Sequence, residues 1–371
     1  MLDKSPTMQS REPITLVETA LVVPRLGKGG FALVDRQGAP VVDALCFRKY
    51  GFEYSGFVDR AAYAAAPHHG GTWLFAGDCW NHFGHFIFES LSRLWATDLV
   101  GEQINGIVFL DPRGMGKGGK LPPRSFQARF LALLGVTLPV MLVTEPATFE
   151  RLYVPRQGCG MGAMAAGTPA HRRFLQSRLR KLVPKPGVER LYLTRSGYKL
   201  RRGGIFAESH LEHNLLAQGY VIYAPELHKV EDQIATYLGA RQVVAPDSSA
   251  LHLFGFVADA TQDLAIVLRR KLGAQDLLPQ ITGFSGRRPL VVDTIRGVLS
   301  RDNARMPAWG QFADLDFDLL GARLAEGGFL SDPAVWNGLS DRRRSRLRQN
   351  YEQLLQCRFT ELGPEGADIA A

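Results

Sequence analysis

No apolar stretch in this chain reaches the roughly 18 to 20 residues that a membrane-spanning helix requires. The longest, Phe130 to Thr144, is interrupted by Gly135 and Pro139. Cysteine is sparse: Cys46, Cys79, Cys159 and Cys357 stand apart without C-x-x-C spacing, which argues against a disulfide framework and a cysteine zinc cluster. The G-x-S-x-G elbow and the Walker loop are missing, and the glycines and lysines of Gly114 to Lys120 do not follow P-loop spacing. No internal repeat or low-complexity tract stands out. The opening residues MLDKSPTMQSREP have no apolar core of a secretory signal, so a cytoplasmic location is expected.

What is present is a chain of 371 residues, 46% hydrophobic and 22% charged, long enough to bury two ordinary cores. Its net charge of +8 is unevenly spread: eleven Lys or Arg fall between Arg172 and Arg202 against Glu189 alone. Charge focused in one segment suits a phosphate-bearing ligand, a nucleic acid or an anionic membrane. A solvated basic face is the plain alternative.

Residues 14 to 47 read as a small β-meander. A helical pattern then starts near His82, with Phe83, Phe86, Ile87, Leu91, Leu94 and Trp95 recurring every three to four residues. Strand-like runs at 106–110, 139–143 and 151–155 alternate with a helix over 124–134, which favours an α/β fold. The glycine-rich loop around Gly158 to Thr168 marks a domain junction. Beyond it, RLYLTR, YVIYAP, QVVAP and DLAIVLRR alternate with helical segments near 208–218, 230–238 and from Ser248, the pattern of a parallel sheet with right-handed crossovers. The last section carries a helix capped by Ser340 or Asp341. Arg342, Arg343, Arg344, Arg346 and Arg348 crowd its start, and such a helix can rest on anionic lipid or pack on its own domain.

Three constellations can carry chemistry. His82, His85 and Glu89 share a helical face, where a carboxylate can take a proton while an imidazole four residues away orients it. Burial beside Phe86 and Trp95 would raise that carboxyl's pKa; capping of a helix start is the competing reading. Thr194, Arg195 and Ser196 end a strand at the carboxyl edge where open α/β sheets bind ligands, with Lys199, Arg201 and Arg202 just beyond. Arginine forks suit a diphosphate. The turn Asp247-Ser248-Ser249 opens a helix whose N–H groups can take an anion, or simply caps it. Glu226 follows another strand and can accept from ribose hydroxyls. His68, His69, His82 and His85 lie close in sequence, but their spacing is not H-E-x-x-H and no cysteine pair completes a site, so no metal is expected.

In order, the segments HFGHFIFESLSRLW, ERLYLTRSG, YAPELHKVEDQIATYLGA and VVAPDSSALHLFGF resemble the motifs of glycosyltransferase family 61, the DUF563 group often described as capsular-polysaccharide biosynthesis proteins. The resemblance spans roughly residues 75 to 270. Two positions depart from it. His82 stands where the family usually has Asn, with Asn81 one residue earlier, and Asp247-Ser248-Ser249 replaces the usual His-Gly-Ala of the turn.

The resemblance implies an α/β, GT-B-like fold of two Rossmann-like lobes facing a cleft, with a small N-terminal β-meander and a helical C-terminal tail. The boundaries expected are 1–168 for the acceptor-side lobe, 169–289 for the nucleotide-sugar lobe, and 290–371 for a tail that can cross back. It implies an inverting, metal-independent transfer from a nucleotide sugar to a glycan or lipid-linked acceptor, with no cofactor and no nucleic-acid partner. Glu89 would be the general base and His85 would position it, with His82, Asn81 and Arg93 on the acceptor side. Arg195, Ser196, Lys199, Arg201, Glu226, Asp247, Ser248 and Ser249 would bind the donor. A silent nucleotide-sugar or glycan-binding subunit, a nucleotide-sugar hydrolase, and peripheral contact with the inner membrane through the basic helix are the readings left beside it.

Overall fold

The computed structural model describes residues 14–24, 30–48, 51–53, 58–100, 103–112, 114, 116, 118–197, 203–301 and 310–364. The chain divides into two compact units, Met1–Arg178 and Leu179–Ala371. Both are α/β.

The first unit contains strands β1 (Ile14–Val23), β2 (Ala32–Val34), β3 (Cys46–Arg48), β4 (Gly51–Glu53), β5 (His68–Asp78), β6 (Gly106–Leu110), β7 (Val140–Val143) and β8 (Ala147–Pro155). Six of them form one sheet in the order β2-β1-β8-β5-β6-β7, while β3 and β4 make a separate hairpin. Strands β8, β5, β6 and β7 run parallel, and β1 and β2 extend the sheet antiparallel. The expected small meander thus contributes β1 and β2 to the edge of the main sheet. The reason is length: β1 has ten residues and pairs with β8 along almost its whole course.

The helical pattern after His82 is not one regular helix. A single turn, α1 (Phe83–His85), passes into a π-helical turn over Phe86–Ser90; a 3-10 turn over Leu94–Ala96 and the short α2 (Thr97–Val100) follow. Phe86, Ile87, Phe88, Leu91, Leu94 and Trp95 are all buried, and so are Ser90, Ser92 and Arg93 between them. A segment enclosed on every side needs no amphipathic regularity. Helices α3 (Phe126–Leu133) and α4 (Pro169–Leu179) complete this part of the chain; Phe86 packs edge-on against Phe126 and Phe130.

His171 of α4 is fully buried, and burial, with Arg172 beside it, pushes its imidazole down to about 3 from 6.5. The ring is neutral in the folded chain and takes a proton on unfolding, so stability is complete above the unfolded value and falls as pH drops through the window from about 6.5 to about 3. At pH 5 the loss is about 2 kcal/mol relative to neutral pH. Urea unfolding of wild type and His171→Leu at pH 7.5 and pH 5 checks this: the variant should lose that share of acid sensitivity, and identical acid slopes would refute the assignment.

The second unit contains β9 (Arg190–Leu193), β10 (Gly204–Ile205), α5 (Glu208–Ala217), β11 (Val221–Tyr223), α6 (Val230–Gly239), β12 (Gln242–Pro246), α7 (Ala250–Val257), β13 (Asp263–Val267), α8 (Leu277–Ser285) and β14 (Leu290–Val292). Its main sheet has the order β11-β9-β12-β13-β14, all parallel. The near-continuous apolar runs of β12 and β13 are buried except at their first residues, as parallel strands covered on both faces are. Numbered from β9 with β10 set aside, the order is 2-1-3-4-5, so the connections reverse direction between β9 and β12. In such sheets that reversal opens a crevice at the carboxyl ends.

The section after residue 289, read from sequence as a helical tail, supplies strands as well as helices: β15 (Ile295–Arg301), β16 (Phe312–Leu315), α9 (Phe317–Glu326), α10 (Asp341–Leu355) and β17 (Phe359–Leu362). They form a second sheet in the order β10-β16-β15-β17. Ser340 caps α10 by accepting from the Arg343 N–H. Arg344 and Arg348 bond to Asp314, Leu315, Glu352, Phe359 and Glu361, while Arg342, Arg343 and Arg346 are exposed. Among the described residues no helix is long and apolar enough to cross a membrane.

Three arginines of the basic segment are spent on helix ends. Arg178 donates to the Leu134 carbonyl at the end of α3, Arg180 to the Val257 and Ala258 carbonyls at the end of α7, and Arg190 to the Gln218 carbonyl at the end of α5. These are cations placed on helix C-termini, where the dipole favours them.

Candidate functional site

In the first unit, β5 ends at Asp78 beside the parallel β6, and the chain turns through Cys79, Trp80, Asn81 and His82 into α1. Two side chains hold this turn: Ser90 Oγ accepts from the Trp80 N–H at 3.0 Å, and Gln127 Nε2 donates to the Trp80 carbonyl at 3.1 Å. Burial, reinforced by Asp111 and Asp78, pushes the Cys79 thiol up to about 12, which leaves it unreactive.

Nδ1 of His85 lies 2.5 Å from Oε1 of Glu89. The Glu89 side chain is only 9% exposed and the His85 side chain 48%, so the carboxylate sits behind the imidazole. With Glu89 ionised, Nδ1–H donates and Nε2 keeps its lone pair. The rings of Trp80 and His82 flank His85 at 5.7 and 5.2 Å; His82 and Asn81 are exposed. His82, at the N-cap, makes no capping bond through its side chain. A π-helical turn placed under a carboxylate–imidazole pair is a frequent mark of a functional segment.

Arg93 does not reach this surface. It is 1% exposed, and its guanidinium donates to the carbonyls of Asp43, Ala44, Leu45 and Pro155. Its place is beneath the site, tying the segment after Glu89 to the chain around Asp43 and to the end of β8.

In the second unit, the loop after β9 is built on carboxylates. Glu208 Oε1 accepts from Tyr192 Oη at 2.9 Å and from the Arg195 N–H at 2.8 Å, and Ser196 Oγ donates to Glu212 at 2.5 Å. Thr194 Oγ1 bridges the two glutamates. Burial raises the Glu208 carboxyl pKa. Ser196 therefore faces a carboxylate. Glu226 comes to the same loop: a Cβ on Gly197 would lie 2.7 Å from its Oε1, and both its carboxylate oxygens are buried without a hydrogen-bond partner. Lys199 and Arg201 lie outside the described residues.

Asp247 follows β12 on the other side of the crevice and is wholly buried. Its Oδ1 accepts from the Arg269 N–H at 2.5 Å; its Oδ2 accepts from Arg270 Nε and Nη2 at 3.0 and 2.9 Å. These bonds occupy its carboxylate, and the chain closes over it at Gly273, where a Cβ would lie 2.3 Å from Oδ2. Ser248 is buried. Ser249 takes the N-cap of α7 without a side-chain cap bond.

Arg269 and Arg270 were not singled out from the sequence. Both follow β13 directly, at the same carboxyl edge as Arg195, and the rule that drew attention to Arg195 applies to them equally. Among the described residues no group of three or more His, Cys, Asp or Glu side chains is arranged to hold a metal ion.

A model of the family described as Glycosyltransferase 61 matches residues 83–263. The matched span contains His85, Glu89, Arg195, Glu226 and Asp247 and stops short of Arg269. No curated protein matches the chain.

Proposed function

Residues 83–263 make this chain a member of glycosyltransferase family 61, and from that membership we propose that it transfers a sugar from a nucleotide-sugar donor to a hydroxyl of a glycan or lipid-linked acceptor, with inversion. Transfer between a sugar donor and an acceptor is the activity that the family carries. The observation that supports the chemical step is the 2.5 Å pair of His85 and Glu89 at the carboxyl edge of β5. In the proposed step the acceptor O–H loses its proton to this pair, the oxygen bonds to the anomeric carbon, and the bond from that carbon to the diphosphate breaks. The nucleoside diphosphate leaves.

The exposures favour a different division of labour within the pair from the one expected from sequence. Nε2 of the half-exposed His85 meets the acceptor, while the nearly buried Glu89 fixes the tautomer and stabilises the imidazolium that forms. The donor fits the β9/β12 crevice of the second unit, with Glu226 facing ribose hydroxyls and arginines facing the diphosphate in the role a metal would otherwise fill. This assignment goes with a GT-B arrangement of two lobes, a role in cell-surface polysaccharide synthesis, and a cytoplasmic location in which the exposed arginines of α10 rest on anionic lipid.

The test is a melting-temperature screen against UDP, GDP, CMP and their sugar conjugates, with and without EDTA. A ligand that binds only the folded chain raises the melting temperature, by about 2.7 kcal/mol of stabilisation at a hundredfold excess over Kd. One nucleotide class should stabilise the protein equally with EDTA. Analysis of products from the stabilising donor with candidate glycans should then give an extended glycan. Free sugar alone would mark a hydrolase, and binding without turnover on any acceptor a silent subunit.

A further inference from the structure

We propose that Arg270, held in place by Asp247, is a diphosphate-binding residue at the carboxyl edge of the second unit's sheet, with Arg269 as its buried supporting cation. The proposal rests on the nucleotide-sugar reading and names residues of the donor site beyond the segment matched to the family.

Four observations carry it. First, β13 lies next to β12, so residues after Val267 emerge beside the β9/β12 crevice, where sheets of this order take their ligands. Second, Arg269 is anchored from both ends: its N–H bonds to Asp247 Oδ1, while its Nε and Nη2 donate to the Asp247 carbonyl at 3.0 and 2.5 Å. Third, Arg270 gives Nε and Nη2 to Asp247 Oδ2, and its side chain is 42% exposed. Among the described residues no acceptor faces its Nη1. One edge of the fork is fixed by the protein and the other is open, a pre-organised arrangement for phosphate oxygens.

Fourth, the charges do not balance within the cluster. A single carboxylate, Asp247, stands between two guanidinium groups, and Arg195 is close enough to press on Arg269. Burial, Arg195 and Arg270 push Arg269 down to about 10 despite the opposing pull of Asp247 and, more weakly, of Glu208. It still carries its proton at neutral pH. An anion beside Arg270 and Arg195 supplies the missing negative charge. Asp247 is a positioning residue here, acting through the two arginines.

The experiment is calorimetric titration of the full chain with inorganic pyrophosphate and, separately, with UDP, GDP and CMP, using wild type, Arg270→Gln and Arg270→Lys. Melting curves without ligand establish that each variant is folded. Arg270→Gln should bind pyrophosphate and the preferred nucleotide at least tenfold more weakly, and Arg270→Lys should fall between, because it keeps the charge and loses the fork. Uridine, guanosine or cytidine, which lack phosphate, should not distinguish the three proteins.

Equal affinity of wild type and folded Arg270→Gln for a nucleotide that binds would overturn the proposal and leave the transferase reading standing. No pyrophosphate binding by wild type would overturn it as well. Pyrophosphate bound through Arg270 with no gain from any nucleoside would keep the anion site and remove the nucleotide-sugar reading. If Arg270→Gln does not fold, the fork test rests on Arg270→Lys, where affinity equal to wild type overturns the proposal.

Discussion

Glu89→Gln is expected to lower turnover by a factor of about 10² to 10⁴, with the affinity of the preferred nucleotide unchanged. The substitution preserves size and leaves an oxygen that can still face Nδ1 of His85. It removes the charge that holds the imidazole in the tautomer with Nε2 free and that stabilises the imidazolium once a proton has moved. The amide can also turn its NH₂ towards Nδ1, which would fix the wrong tautomer. Because Glu89 belongs to the first unit and the proposed donor crevice to the second, nucleotide binding should not follow turnover down. Steady-state kinetics on the donor and acceptor found by the melting screen, paired with nucleotide titrations, would measure both quantities. Parallel loss of turnover and nucleotide affinity would rule out a role in proton transfer, and a variant with wild-type kcat would remove Glu89 from the mechanism. His85→Ala should be at least as damaging.

The second large effect is on stability. Asp247→Ala takes away the acceptor for the Arg269 N–H and for two donors of Arg270, and it leaves the buried guanidinium of Arg269 facing carbonyl oxygen alone. Breaking a buried pair by removing one partner costs about 3–5 kcal/mol. For a unit of this size that corresponds to a drop of about 6–20 °C in melting temperature. Asp247→Asn, which retains an acceptor but not the charge, should lose less. Gly273→Ala approaches the same carboxylate from outside, since its Cβ would fall 2.3 Å from Oδ2. Scanning calorimetry would compare the three. A melting temperature for Asp247→Ala within a degree or two of wild type would mean that the two arginines are held by other contacts.

Four strands of the second unit's parallel sheet were legible because each is a short apolar run closed by a turn, and the three helices expected between them begin within a few residues of the expected places; α8 and the edge strand β14 were not expected as part of this sheet. The second sheet was not legible. It joins Gly204–Ile205 to strands that begin about ninety residues later, and a two-residue strand has no periodicity to detect. In the first unit the pattern after His82 announced Phe86, Ile87, Leu91, Leu94 and Trp95 correctly as buried, while Phe83 is only half-buried; it did not announce their backbone, since periodicity reports which residues are enclosed and not whether a turn closes on the fourth or the fifth residue. The same limit explains the basic segment. The density of arginine between 172 and 202 was real, yet a sequence does not say where a guanidinium points, and Arg178, Arg180 and Arg190 point at helix ends. Arg269 and Arg270 were hidden for the opposite reason: DLAIVLRR reads as one strand with a charged tail, whereas the strand closes at Val267 and the tail turns back to bond Asp247.

The π-helical turn over Phe86–Ser90 also limits how this stretch can change in length. Its backbone closes from the Leu91 N–H to the Phe86 carbonyl at 3.3 Å, one residue wider than an α-helical turn. A single-residue deletion between Phe86 and Leu91 would let the turn tighten, and the side chains on one side of it would rotate by about 100° relative to those on the other. Arg93, fastened to carbonyls of two separate segments, cannot follow that rotation without abandoning them. A frame shift of one residue here therefore forces a choice between the carboxylate–imidazole pair and the anchor beneath it. Insertions and deletions should be far more damaging in this stretch than hydrophobic substitutions at Ile87 or Phe88, and a library of single-codon deletions across residues 80–100 would map that intolerance directly.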